Sequence, residues 1–330
     1  MKAMIIRESG EPSVFEAADI PVPQIGPCQV LVRVAATSVN PVDWKIRKFA
    51  PPLGPEMPAV LHGDVAGGVE AVGADVSDFA VGAEVYGCAG GVKGTGGALA
   101  EFMACDADFL APKPSNLSMV EAAALPLVSL TAWEGLVEGA NVGPGDTVLV
   151  HGGAGGVGHV ATQIAIARGA QVYATVSGPE KAAAVAEFGA TPINYRENSV
   201  EDYVATHTDG AGFDIVYDTV GGENIPKCWA AAKLRGTVIS CQTNSTHDLT
   251  PLHLKGLQHI GVLMLIPLLH GVGTAAHGEI MREITALAEA GQMRPLLDGE
   301  PYSLEDVAAA HARLESGQAM GKVVVQVSGD

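Results

Sequence analysis

The first 120 or so residues alternate apolar and polar positions in short runs set between glycines and prolines. "QVLVRVAATSVN" (29–40), "GGVEAVGADV" (67–76) and "GAEVYGC" (82–88) have this pattern. Period-two alternation sends alternate side chains to one face, so each run predicts a half-buried strand. Together they predict an antiparallel or barrel-like β domain. The texture changes at Ser118, which forms S-x-x-E with Glu121 ahead of "AAALPLVSLTAWEGLVE" (122–138). That spacing predicts a helix start. Short β-branched runs then alternate with helical spacing. Strands are predicted at "TVLV" (147–150), "QVYAT" (171–175), "PINY" (192–195), "FDIVYDTV" (213–220) and "GTVISCQ" (236–242). Helices are predicted between them, including "PEKAAAVAEFG" (179–189) and "VEDYVATHT" (200–208). Such alternation predicts a parallel sheet covered on both faces, a doubly wound α/β arrangement. After Pro267 the chain is helical again over "GEIMREITALAEAGQM" (278–293). Ser303 with Asp306 marks another helix start, and residues 322–327 form a last strand able to return to the first domain. The expected division is therefore 1–122 for a β-rich domain, 123–267 for an alternating α/β domain, and 268–330 for a return that completes the first.

One stretch carries chemistry at once. "HGGAGGVGHVATQIA" (151–165) lies between a predicted strand and a predicted helix, and Gly153, Gly155 and Gly158 match G-x-G-x-x-G. Glycine is common here, at 41 of 330 residues, so the match gains weight only from its strand–turn–helix context. Backbone N–H groups at such a helix start suit an anion such as a pyrophosphate, and glycine lets it approach.

Composition narrows the classes. A net charge of −18 argues against nucleic acid or an anionic membrane surface as the main partner. The longest apolar run, "IGVLMLIPLL" (260–269), is too short to span a bilayer and contains Pro267. The N-terminal "MKAMIIRESG" is too short in its apolar part for a secretory signal and reads as a first strand and turn. Five scattered cysteines with no C-x-x-C pair suggest reduced thiols in a cytoplasmic protein.

Several segments together carry a family likeness: "ATSVNPVDWKIRK" (36–48), "VLHGDVAGGVEAVGADV" (60–76), "LPLVSLTAWEGL" (125–136), the glycine turn, "VYDTVGG" (216–222) and "ESGQAMGKVVV" (315–325). Over nearly its whole length the chain resembles the medium-chain dehydrogenase/reductase superfamily, and within it the zinc-independent quinone oxidoreductase (zeta-crystallin-like) group. The resemblance implies an α/β fold with a GroES-like substrate domain, a Rossmann domain, and an active site in the cleft between them. It implies a homodimer paired through an edge strand near residues 261–265.

Zinc-dependent relatives place a Cys where this chain has Asn40, and a Gly-His-Glu where it has His62, Gly63 and Asp64. The histidine comes one position early, which on a strand would turn it to the other face. A catalytic zinc needs three protein ligands, so no metal site is expected. For the cofactor, Gly153, Ala154, Gly155, Gly156 and Val157 form the phosphate turn, with Val220 and Gln242 as further contacts implied by the likeness. The second strand ends at Val176 with no acidic residue to hold a ribose diol. Ser177 and Lys181 suit a 2′-phosphate, and the resemblance adds Tyr195, so NADPH is expected. An Arg that some relatives carry near the C-terminus is replaced by Gly317.

For catalysis the likeness points to Asn40, to Lys45 on the same loop, and to Thr131. Asn40 or Lys45 would hold the oxygen of a quinone or an α,β-unsaturated carbonyl while hydride is delivered. A turn cap before Pro41 is the other reading of Asn40. His151 reads as a neutral packed residue rather than an acid, and His247, His253 and His259 show no metal-ligand spacing. Enoyl-thioester reduction, nucleotide binding without turnover, and zinc-dependent alcohol oxidation stand as alternatives.

Overall fold

A computed structural model describes residues 1–328, and it divides into two compact units. The first contains residues 1–127 and 265–330, the second residues 128–264. The expected limits at 122/123 and 267/268 therefore shift inward. The N-terminal shift has a visible cause: the Leu127 N–H donates to Asp64 Oδ1 at 2.8 Å, which ties the chain to the first unit up to that residue.

The first unit opens with β1 (Lys2–Ile6), β2 (Glu16–Asp19) and β3 (Gln29–Val39), then helix α1 (Pro41–Phe49). It continues through β4 (Ala59–Val60), β5 (Asp64–Val72), β6 (Glu84–Cys88), β7 (Phe102–Asp106) and β8 (Leu110–Pro112). Strands β2-β1-β4 form a small sheet. The alternating run of β3 pairs antiparallel with both β5 and β7, as its half-buried pattern requires. Helix α2 (Met119–Ala123) follows, started by the Ser118–Glu121 capping box, and packs on β3 and β5. The predicted single helix beyond it is broken at Pro126. Helix α3 (Pro126–Trp133) starts there and runs into a π-helical turn over Glu134–Gly139.

The second unit is the doubly wound sheet. It contains β9 (Thr147–Val150), α4 (Gly156–Ala167), β10 (Gln171–Val176), α5 (Pro179–Glu187), β11 (Thr191–Asn194), α6 (Val200–Thr208), β12 (Phe213–Asp218), α7 (Ile225–Ala231), β13 (Ala232–Ser240), α8 (Thr250–Lys255) and β14 (Gln258–Gly261). The strand order is β11-β10-β9-β12-β13-β14, all parallel. Counted within the unit this is 3-2-1-4-5-6, the dinucleotide-binding order, with the switch point beside β9. One face is sealed by Trp229, Phe213, Tyr173, Tyr203 and Ile225, all buried. Each such side chain contributes about 1.5–3 kcal/mol through removal from water.

The chain then returns to the first unit through α9 (Ile266–His270), α10 (Thr274–Glu289), β15 (Tyr302–Ser303), α11 (Val307–Glu315) and β16 (Val323–Gln326). Strand β16 pairs antiparallel with β3, Val323 opposite Val39. The large sheet is thus completed from the far end of the sequence. Among the described residues no helix is long and apolar enough to cross a membrane, and none of the five cysteines forms a disulfide.

Candidate functional site

The glycine turn joins β9 to α4. It is held against β10, because Gly153 N–H donates to Thr175 O at 3.0 Å and Gly152 N–H to Thr175 Oγ1 at 3.0 Å. Packing explains two of its glycines. A Cβ on Gly158 would lie 2.1 Å from Gly152 O, and one on Gly153 would lie 2.5 Å from Ala174 Cβ. Side chains at these points would push α4 off the sheet. The N-cap of α4 is Gly155, with no side chain to satisfy the first-turn N–H groups. Gly156 and Val157 supply two of those groups, beside Ala154, which is itself buried. This cradle fits a pyrophosphate.

The other expected cofactor residues gather at the same, carboxyl end of the sheet. Ser177 follows β10 directly and Lys181 lies in the first turn of α5. Tyr195 follows β11; its N–H donates to Val176 O at 3.2 Å, so it stands beside Ser177, and its side chain is exposed. Val220 and Gln242 follow β12 and β13. Val220 N–H donates to Asp218 Oδ1 at 3.0 Å, and a Cβ on the intervening Gly221 would touch Gln242. Ligands of open α/β sheets bind along this edge. His151 is buried next to the turn, and burial depresses it to about 4, against the pull of Asp218. It is neutral at pH 7.

The first unit holds a second, unlike site. Strand register builds it. Extending the β16–β3 pairing by one residue sets Lys322 opposite Asn40; extending the β3–β5 pairing sets Ser38 opposite Asp64. The side chains meet as this register demands. Asp64 Oδ2 accepts from Ser38 Oγ at 2.6 Å, from Asn40 Nδ2 at 2.7 Å and from Lys322 Nζ at 3.5 Å, while Oδ1 accepts from Leu127 N–H. Lys322 Nζ also donates to Asn40 Oδ1 at 2.5 Å. Asn40, Asp64 and Lys322 are all buried. Burial lowers the Lys322 ammonium, and the charges of Asp64 and Asp43 oppose that fall. Asp43 accepts from the Asn40 backbone N–H at 2.7 Å; burial drives its carboxyl up to about 7.

Asn40 thus stands at the centre. The segment after Asn40 is not a loop but helix α1, started by Pro41 with Asp43 closing its first turn. Lys45 lies on that helix, with Nζ 5.8 Å from the centre of the Trp44 ring. Thr131 lies in α3 and is buried; its carbonyl accepts from Tyr217 Oη at 2.7 Å. The lysine that meets Asn40 is Lys322, which sequence reasoning passed over. Its signal was a single charge opening the otherwise apolar "KVVV" of the return strand.

His62 also departs from expectation. It precedes β5 and has φ of 74°, so strand alternation does not set its direction. Its Nδ1 lies 3.2 Å from Thr37 Oγ1 and its Nε2 2.9 Å from His311 Nε2. Burial lowers both imidazoles, His62 to about 3. These donor sets do not fit a metal. Asp64 has both oxygens engaged by four protein donors, an ammonium lies against it, and His62 is turned to a second histidine. Among the described residues no three His, Cys, Asp or Glu side chains converge on a metal position.

A parallel six-stranded sheet with an uncapped glycine turn, joined to an antiparallel domain with a buried amide site, defines a dinucleotide-dependent oxidoreductase. Comparisons agree with this class. Residues 26–115 match the alcohol dehydrogenase GroES-like domain, and residues 188–325 match the zinc-binding dehydrogenase family. A 2-methylene-furan-3-one reductase of Solanum lycopersicum is 36% identical over 98% of this chain and 79% of its own length. An alcohol dehydrogenase superfamily protein from Novosphingobium aromaticivorans is 44% identical with a TM-score of 0.95, covering 99% of this chain and 100% of that one. The Escherichia coli quinone oxidoreductase complexed with NADPH is 26% identical with a TM-score of 0.88, over 99% and 100%. The chain belongs to the medium-chain dehydrogenase/reductase superfamily, in its quinone oxidoreductase group.

Proposed function

We propose that this protein is an NADPH-dependent reductase that reduces a quinone or the C=C bond of an α,β-unsaturated carbonyl without zinc. The observation that carries this reading is the buried Asn40 amide, held between a carboxylate and an ammonium where zinc-dependent relatives place a metal ligand. Bound NADPH supplies a hydride, and solvent supplies the proton that completes the addition. The chain does the rest. The N–H groups of Gly156 and Val157 hold the pyrophosphate at the start of α4, with Val220 and Gln242 alongside. Ser177, Lys181 and Tyr195 take the 2′-phosphate, because no acidic side chain stands at the end of β10 to repel it. The Asn40 NH2 has one hydrogen on Asp64. Its second hydrogen donates to the substrate oxygen and stabilises the charge that grows there as hydride arrives at the β-carbon or quinone ring. Thr131 is assigned to the nicotinamide end, and Lys45 to the rim of the substrate site.

We further assign the working form to a homodimer joined at β14, an edge strand of the sheet, and the residues just after it, where Leu263 is 49% exposed. Five cysteines without a disulfide fit a reducing compartment such as the cytoplasm.

The test is NADPH oxidation by metal-free protein against quinones, enones and enoyl-thioesters. Turnover of quinones or enones that survives a chelator is expected. Turnover confined to enoyl-thioesters, turnover that requires added zinc, or NADPH binding with no turnover would each overturn the assignment.

A further inference from the structure

The lysine in the buried cluster is not explained by stability alone. A buried ammonium loses its hydration, and burying an ion pair is often no better than burying apolar groups of the same volume. Lys322 nevertheless reaches from the start of β16 to the Asn40 amide oxygen, nearer to it than to Asp64 Oδ2, with its side chain 2% exposed. The consequence for that amide is specific. The two ends of a side-chain amide are chemically opposite, one accepting and one donating. Lys322 has only donors, so the end that meets it must be Oδ1. Asp64 has only acceptors when ionised, so the end that meets it must be Nδ2. Only one of the two amide orientations satisfies both neighbours.

We infer that Lys322 is a positioning residue for reduction: with Asp64 it locks the orientation of the Asn40 amide and polarises it toward the substrate oxygen. The inference rests on the function proposed above and adds to it a residue that touches neither substrate nor cofactor. An ammonium on Oδ1 draws electron density from the amide and makes the remaining N–H a stronger donor, as charge-assisted chains do at low dielectric. With the amide reversed, Oδ1 would face the substrate oxygen and repel it. Lys322 therefore supplies through an amide part of what a metal supplies directly, positive charge near the developing oxyanion. Ser38 and Leu127 complete the anchor by holding Asp64 in place.

The test is a double-substitution cycle with two independent readouts. Lys322→Met removes charge and donor; Lys322→Gln keeps the volume polar and serves if the methionine variant does not fold. Each is made in the wild-type chain and in Asn40→Ala. In the wild type we expect kcat to fall roughly tenfold or more, the equivalent of one hydrogen bond from a charged donor. The NADPH dissociation constant, read by fluorescence without substrate, should not move. In the Asn40→Ala background the same change should alter kcat by less than about twofold, since interacting residues are non-additive. The second readout needs no turnover. The Asn40 side-chain NH2 signal in a 15N spectrum, assigned by its absence in Asn40→Ala, should be slow to exchange in the wild type. In the Lys322 variants it should shift and exchange faster.

An equal loss of kcat in both backgrounds would overturn the inference, as would an Asn40 NH2 signal unchanged by Lys322→Met or Lys322→Gln. A wild type that reduces no member of the substrate panel would instead defeat the proposed function, and the amide spectrum would still decide the positioning role.

Discussion

The glycine turn supports a quantitative prediction through Gly158→Ala. The added methyl would lie 2.1 Å from Gly152 O and 3.1 Å from Gly153 Cα, where ordinary contact begins at 3.4 Å. Both opposing atoms are backbone, so no side-chain rotation relieves the clash. The start of α4 must therefore move by roughly 1 Å away from the turn, a degree of overpacking that costs about 1–3 kcal/mol. Helix propensity works the other way, with alanine better than glycine by about 0.8–1 kcal/mol. The net loss of stability is about 0–2 kcal/mol, a fall in melting temperature of at most roughly 8 °C for a unit of this size. Cofactor binding should suffer more than stability, because the displaced N–H groups are the ones that face the pyrophosphate. Loss of one charge-assisted hydrogen bond weakens NADPH by about 10- to 100-fold. Gly143→Ala is the matched control: its added methyl would have nothing within 4 Å. Thermal unfolding and a fluorescence titration with NADPH, run on both variants, check the prediction. A Gly158→Ala protein that binds NADPH as the wild type does would refute the reading of this turn as a phosphate cradle.

Other outcomes follow from the same geometry. Lys181→Ala should weaken NADPH by about tenfold while leaving NADH affinity within about twofold, because only the 2′-phosphate pairs with the ammonium; equal weakening of both, measured by titration, would count against that role. Asp43 is raised from 3.8 to about 7, so the folded protein binds the extra proton between those values. Relative to Asp43→Asn, wild-type stability should rise as pH falls from about 7 toward 4, read from denaturant midpoints across pH. His62 has the opposite sign: lowered from 6.5 to about 3, it stays neutral in the fold. Relative to His62→Gln, stability should be fully present above pH 6.5 and decline below it, in the same midpoints. Leu263→Asp should shift the protein from dimer to monomer in light scattering, with the fold retained by circular dichroism.

Much of the fold could be read from the chain because its local patterns agree with its global arrangement. The 200–208 helix coincides with its predicted span, since Ser199 caps it and Asp202 closes the box. The buried strands of the second unit were legible from β-branched runs alone, because a parallel sheet covered on both faces leaves no polar alternation to disguise them. Two things were hidden. Helix α1 is one, because the Asn-Pro before it looks like a turn, although Pro at the first helical position is favourable. Lys322 was missed because its partners lie some 260 to 280 positions earlier, and no local spacing reports a contact made only when β16 docks on β3. The cofactor turn had the opposite character, with every part within a few residues of sequence.

Asn40 shows why a structural and a chemical role need not compete for one residue. Its backbone serves helix α1: the N–H donates to Asp43 Oδ2 and the carbonyl accepts from the Asp43 N–H at 3.0 Å. Its side chain shares in the capping box with Asp43 but is held chiefly by Lys322 and Asp64. The cap fixes where the Cα sits and the ion pair fixes how the amide faces, so between them the side chain has no remaining freedom. A donor held this way undergoes little reorganisation when charge develops near it, and low reorganisation is the main source of electrostatic catalysis. The neighbouring Asp43 carboxyl is driven up to about 7 chiefly by its burial, with the charge of Asp64 adding to the rise and that of Lys322 opposing it. Near neutral pH it is therefore only partly charged, which limits the negative charge beside the point where the substrate oxygen must gain charge.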